Sequence, residues 1–324
     1  MNFPKLLLNC VLALSAALAP ALSQADAWPT RPIRLVVAAP GGSSLDIIAR
    51  TIGDKLKDRL GQPIVVDNIP GASGTIATGT VARAAPDGYT MLLSFNGPLA
   101  FTQFLTKLSY DPQKDLAPVI QTSSQPNVLA VNATVPVSTV PELIAYAKSR
   151  PGTLNYASVG NGSSSHLTME LFKSMAGLRI VHIPFNGAPP AAQSLAAGDT
   201  HLLFSVPSVV MPHIRSGRIK ALAVTSATRF SLLPDLPTVA ESGLPRFESL
   251  TWNGILVPTG TPAAIVQRLN RDIDAILVMP EVKTRLHNAG LQPAGGPAVQ
   301  FGDLIATESR KWEEIIRKTG ATLD

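Results

Sequence analysis

A single cysteine, Cys10, stands in the whole chain, and it lies in an apolar N-terminal stretch. Removal of that stretch leaves nothing for disulfides, thiolate metal sites or a cysteine nucleophile. Aromatic residues make up only 5% of the 324 residues and charged ones 15%, against 45% apolar. That balance describes an ordered globular chain, long enough for two domains with a sizeable core. Blocks of one charge are also missing. Lys and Arg are scattered under a net charge of +5, which argues against a nucleic-acid partner and suits small anionic ligands. The histidines (His166, His182, His201, His213 and His287) show no metal-ligand spacing, so neither a metal nor another cofactor is expected.

What is present begins with a leader. Lys5, then LLLNCVLALSAALAPAL, then Ala25-x-Ala27 read as a secretory signal peptide over residues 1–27, cleaved before Trp28, with the periplasm as destination. Pro20 and the small-residue site speak against an uncleaved anchor, and Asn9 before Cys10 against a lipoprotein site.

Beyond Trp28, strand and helix patterns alternate. Apolar runs at 33–38, 64–67 and 90–94 read as buried parallel strands. Ile48, Ile52, Leu56 and Leu60 recur every fourth residue on one helix face, stopped by Gly61 and Pro63. A helix from about Gly74 ends at Pro86-Asp87-Gly88, which is strong turn chemistry. Further strands are expected at 128–131, 155–158, 180–183, 202–204 and 221–225. Helices are expected at 141–152, 164–176, 188–197, 265–277 and 299–318. The class is α/β, as two lobes with the chain crossing between them more than once.

Two junctions carry the candidate chemistry. APGGSSLD (Ala39 to Asp46) joins the first strand to the first helix. It lacks the lysine of a phosphate loop and the third glycine of a dinucleotide loop. Ser43 and Asp46 stand at capping-box spacing, so Ser43 caps the helix while Asp46 bonds back to the loop. The first-turn amides can still receive a carboxylate without a cationic side chain. SVGNGSSSH (Ser158 to His166) repeats the arrangement more than 100 residues later. The pair can grip the two ends of one ligand. G-x-S-x-G is absent around Ser163, Ser164 and Ser165, and a histidine in the same helix turn is a poor triad base, so an enzyme is not expected. Loops after other strands, Ser94 to Pro98, Ile183 to Pro190 and Leu203 to Ser208, belong to the same end of the sheets. Trp252 and Asn253 either line the cleft or pack the core; packing is favoured for Trp252.

The order WPTRPIRLVV, DNIPGASGTIATGTVARAAPDGYTMLL, LNYASVGNGSSSHLTMELFKSMAG, VHIPFNGAPPA and LPDLPTVAESGLP resembles the periplasmic receptors of tripartite tricarboxylate transporters, also called Bug receptors. The likeness covers the chain after the leader. It implies a type II periplasmic-binding fold, a Venus flytrap with the ligand between lobes built from 28–122 plus 230–324 and from 123–229. It implies a monomer that captures a small organic acid (mono-, di- or aromatic carboxylate) for membrane permease subunits; a sensor kinase is the alternative partner, and a secreted hydrolase a weaker reading. By position it implies ligand contacts from Ala39, Gly42, Ser43, Ser44 and Asp46, from Asn96 and Gly97, and from Ser163, Ser164, Phe185, Asn186, Gly187 and Ser205. Ala38, Ala39 and Gly41 stand where the family has proline, phenylalanine and proline. Ser205 and Val206 stand where it often has Asp-Asn. Both departures favour a longer or aromatic acid over an acidic amino acid.

Overall fold

A computed structural model describes residues 28–321; the expected leader lies outside the described residues. The chain runs β1 (Ile33–Val37), α1 (Ser44–Leu60), β2 (Ile64–Asn68), α2 (Thr75–Ala82) and β3 (Thr90–Phe95), then a tight helical turn at Gly97–Phe101. Next come β4 (Leu116–Pro126), β5 (Val128–Asn132), α3 (Val140–Ser149), β6 (Asn155–Ser158), α4 (Ser164–Ala176), β7 (Val181–Pro184), α5 (Ala188–Ala197) and β8 (Leu202–Ser205). It closes with α6 (Pro207–Arg215), β9 (Ile219–Val224), β10 (Leu250–Pro258), α7 (Ala263–Leu277), α8 (Pro280–Asn288), β11 (Gln292–Pro293) and α9 (Ala298–Thr319).

The strands form two separate sheets, ordered β11-β4-β10-β3-β1-β2 and β7-β6-β8-β5-β9. In the first, β1 pairs in parallel with β2 and β3, as the apolar runs predict. β2 is an edge strand, however, and Val65 is 51% exposed, so it is not buried as expected. Ile48, Ile52, Leu56 and Leu60 of α1 all sink into the first core, the face their spacing defines. In the second sheet, period-2 alternation divides the burial. Leu129, Tyr156 and Phe204 pack on one side, and Val128, Ala157 and Leu203 on the other.

The passages between lobes are where sequence reading and structure part. β4 and β10 are long strands, 11 and 9 residues, paired antiparallel inside the first sheet. β4 stays in that sheet through Pro126, past the boundary expected after residue 122. The return falls later than residue 230. Phe230 packs against one face of the second sheet, and Val239, Leu244 and Phe247 against the other. The two passages run side by side. Asn127 N donates to Thr225 Oγ1 at 2.8 Å, and Ser249 N to Thr225 O at 2.9 Å. The unbroken polar run from Gln121 to Gln125 hides β4 from a search for apolar runs, because its neighbours supply the burial.

Candidate functional site

The first junction folds as a braced loop. Ser43 takes the extended N-cap conformation, and its Oγ accepts from Asp46 N at 3.3 Å. Asp46 Oδ2 accepts in return from Gly42 N at 2.9 Å. The Arg50 guanidinium, one turn on, donates Nε–H to both carboxylate oxygens at 3.0 Å. These bonds, Arg50 first, hold the buried Asp46 carboxyl below the usual range and leave it committed to the loop. Ala39 O accepts from Asn68 Nδ2 at 3.1 Å, tying the loop to the end of β2. Gly42, exposed at φ 79°, makes the turn that a side chain would resist, and Ser44 opens the helix, half-buried.

At the end of neighbouring β3, Asn96 is fully buried and donates Nδ2–H to Leu250 O at 3.0 Å. It joins β3 to the return passage. Gly97 follows because a Cβ there would sit 2.8 Å from the Phe95 ring.

The second junction is built the same way. Ser163 caps α4, accepting from His166 N at 3.2 Å and donating to Gly160 O at 2.6 Å. Ser164 Oγ lies 3.2 Å from Thr251 Oγ1, which links this loop to the first sheet. Phe185, Asn186 and Gly187 leave the adjacent strand β7, and Ser205 ends β8, which flanks β6 on its other side. Phe185 N donates to Ser158 O at 3.0 Å; Asn186 is exposed, and Ser205 is 3% exposed. Every predicted site residue therefore lies at the carboxyl end of a strand or in the first turn of the helix that follows, the end where open α/β sheets bind ligands.

Near the second loop lies a stack of rings that sequence spacing does not reveal. His166 and His182 rings are 4.2 Å apart and 4° from parallel, and Tyr156 stacks on His182 at 4.7 Å. Gly162 N donates to His166 Nδ1 at 3.1 Å, which fixes that nitrogen as unprotonated. Burial lowers the pKa of both rings, that of His182 to about 4. His182 Nε2 and Ser158 Oγ lie 2.6 Å apart, but Ser158 is fully buried, so this serine–histidine contact faces no substrate.

A groove of about 640 Å³ has walls from both lobes: Ala72, Ser73 and Thr75 from the first, Asn161 and Gly162 from the second. None of the predicted side chains lines it; Asn161 and Gly162, just before Ser163, do. Gly71, Ala72, Ser73 and Gly74 all have positive φ, at 122°, 44°, 50° and 85°. Left-handed Ala and Ser each cost about 1 kcal/mol or more, and such strain gathers at binding loops. The signal in the sequence is GASG, two residues after β2. Trp252 packs edge-on against Phe301 at 5.6 Å, so it belongs to the core.

The profile of the tripartite tricarboxylate transporter family receptor matches residues 48–321. BugT of Bordetella pertussis is 37% identical over 325 residues, 100% of each chain. A Bordetella bronchiseptica protein is 40% identical over 313 residues, 96% of this chain and 91% of its own. Among solved structures, an R. palustris protein with adipate superposes at a TM-score of 0.83 and 37% identity, covering 91% of this chain and 99% of that one. MatC from Rhodopseudomonas palustris with bound malate superposes at 0.79 and 33% identity, covering 89% and 100%. The two-sheet architecture is thus the type II periplasmic-binding fold. The chain belongs to the tripartite tricarboxylate transporter receptor family, a family of solute-binding proteins.

Proposed function

We propose that this chain is a periplasmic receptor that captures a small organic carboxylate between its lobes and delivers it to membrane permease subunits. The observation that carries this reading is the groove walled by both lobes and free of acidic residues in its lining. Loops that end in helix starts flank it on each side, so backbone amides and hydroxyls can hold a carboxylate without a deep-lying cation. Ligands of the family's solved members, adipate and malate, fit that chemistry. Ser205 and Val206 bring no negative charge to receive an ammonium, which favours a non-amino acid, longer or aromatic. Binding in the closing cleft would present the permease with a surface absent from the open receptor. The test is a thermal-shift screen with organic acids. A ligand at 100 times its Kd adds about 2.7 kcal/mol of stability, an easily read rise in Tm. A flat response to every carboxylate would overturn the proposal.

A further inference from the structure

We propose that His166 is a positioning residue for ligand capture: its ring, steadied by His182, holds the Gly160–Gly162 loop in the shape that walls the groove. The inference rests on the receptor reading above and assigns a task to two histidines that touch no ligand.

Asn161 and Gly162 are the second lobe's wall of the groove. Gly160 and Gly162, on either side of Asn161, have φ of 129° and 68°. Both values lie in the region that favours glycine, the residue with most backbone freedom to lose. The fixed shape of the loop therefore comes from bonds to its backbone. Gly162 N donates to His166 Nδ1 at 3.1 Å. Gly160 N donates to Ser158 Oγ at 3.2 Å, and that oxygen lies 2.6 Å from His182 Nε2. Gly160 O accepts from Ser163 N at 3.2 Å and from Ser163 Oγ at 2.6 Å. The two imidazoles thus reach the loop at both ends, one directly and one through Ser158, and they stack on each other.

The first junction shows what His166 replaces. There Gly42 N donates to Asp46 Oδ2, four residues on, across the Ser43 cap. Gly162 and His166 stand at the same spacing across the Ser163 cap. Asp46 carries a negative charge, which Arg50 offsets one turn later. One turn after His166 stands Glu170, whose Oε1 accepts from Lys173 Nζ and Tyr156 Oη, both at 2.6 Å. A carboxylate at 166 would repel Glu170 and set a negative charge beside an anionic ligand. A neutral imidazole makes the same bond to the loop without that charge. The bond requires Nδ1 to stay unprotonated. The groups that face the two rings are Glu170 and Lys173 on α4 and Tyr156 on β6, and burial favours the neutral form of both.

The experiment separates the bond from the packing. Phenylalanine at 166 keeps a ring in the stack without the acceptor. Asparagine keeps an acceptor near the Nδ1 position without the ring. Wild type, His166→Phe and His166→Asn are compared by amide exchange at Gly162 without ligand, followed by NMR, and by calorimetry with adipate, the acid held by a solved relative. His166→Phe should lose most of the Gly162 protection and bind adipate about fivefold more weakly, since less of the protein holds the binding shape. His166→Asn should keep both near wild type. The opposite order, or no difference between the variants, would make the stack a packing feature and overturn the proposal. Lost protection with unchanged adipate affinity would overturn it as well. If the ligand-free Tm shows that His166→Asn does not fold, His182→Gln against His182→Phe makes the same comparison at a half-buried ring, read at Gly160, because glutamine keeps a polar atom near Nε2. If adipate does not bind the wild type, exchange alone decides between bond and packing. A failed exchange comparison leaves the receptor reading intact, whereas a wild type that binds no carboxylate overturns that reading without altering the exchange result.

Discussion

Ser43 and Ser163 do the same local work in the two lobes. Each accepts the amide three residues on, which satisfies one donor at a helix start and fixes the loop before it. Ser43→Ala or Ser163→Ala should each cost about 1 kcal/mol, read as a lower urea midpoint at unchanged m. Asp46 adds a pH term. Its pKa is depressed, so its contribution is present above the unfolded value near 3.8 and is lost as pH falls through and below it. The histidine stack acts earlier in an acid titration. His182 titrates near 6.5 when unfolded and near 4 when folded, so the unfolded state binds more protons between those values. Stability should therefore be full above pH 6.5 and decline as pH drops toward 4. Glu170 and Lys173 on α4, and Tyr156 on β6, also face the rings and set the balance between them. His182→Phe keeps a ring in the stack and removes the titration. It should flatten the melting temperature between those pH values; an unchanged slope would move the acid sensitivity to other groups.

Among the elements, β10 is tightly constrained by packing at one position. Gly254 meets the Phe301 ring from α9 where its Cβ would be, and Ile120 O of β4 lies 2.9 Å from the same point. Gly254→Ala should therefore destabilise by about 1–3 kcal/mol through overpacking, measured by chemical denaturation. Adding Phe301→Leu should recover part of the loss, since the ring is one of the two obstacles. Recovery of nothing would assign the cost to the Ile120 carbonyl. The same strand carries Thr251, the partner of Ser164, so the strand that holds the first lobe together also reaches the second cradle.

At the scale of the whole molecule, the two lobes share a pair of passages tied through Thr225, and a groove walled by both. Leu167, on the helix that starts at the second junction, is buried in the first lobe's core, so the lobes also touch near the passages. If the receptor closes on a ligand, rigid lobes joined in this way should do so by rotation about the passages rather than by internal rearrangement. Hydrogen exchange with saturating carboxylate should slow most at residues 71–75 and 160–164, the segments that face each other or flank the groove. Protection confined to other segments would place the ligand elsewhere.

The sequence by itself determined the α/β class, the parallel strands β1 and β3, the buried face of α1 and the cap of the first junction. Those follow from short-range periodicity and from hydrogen bonds made within three or four residues, as the Ser43–Asp46 exchange shows. Tertiary structure alone decided three things. It placed polar β4 inside the first sheet, between β11 and β10, where its neighbours bury it. It moved the return between lobes from residue 230 to the far side of Phe247, whose packing depends on strands distant in the chain. It set GASG opposite Asn161 and Gly162. Contacts of long sequence separation leave no periodic trace, so only the folded chain could reveal them.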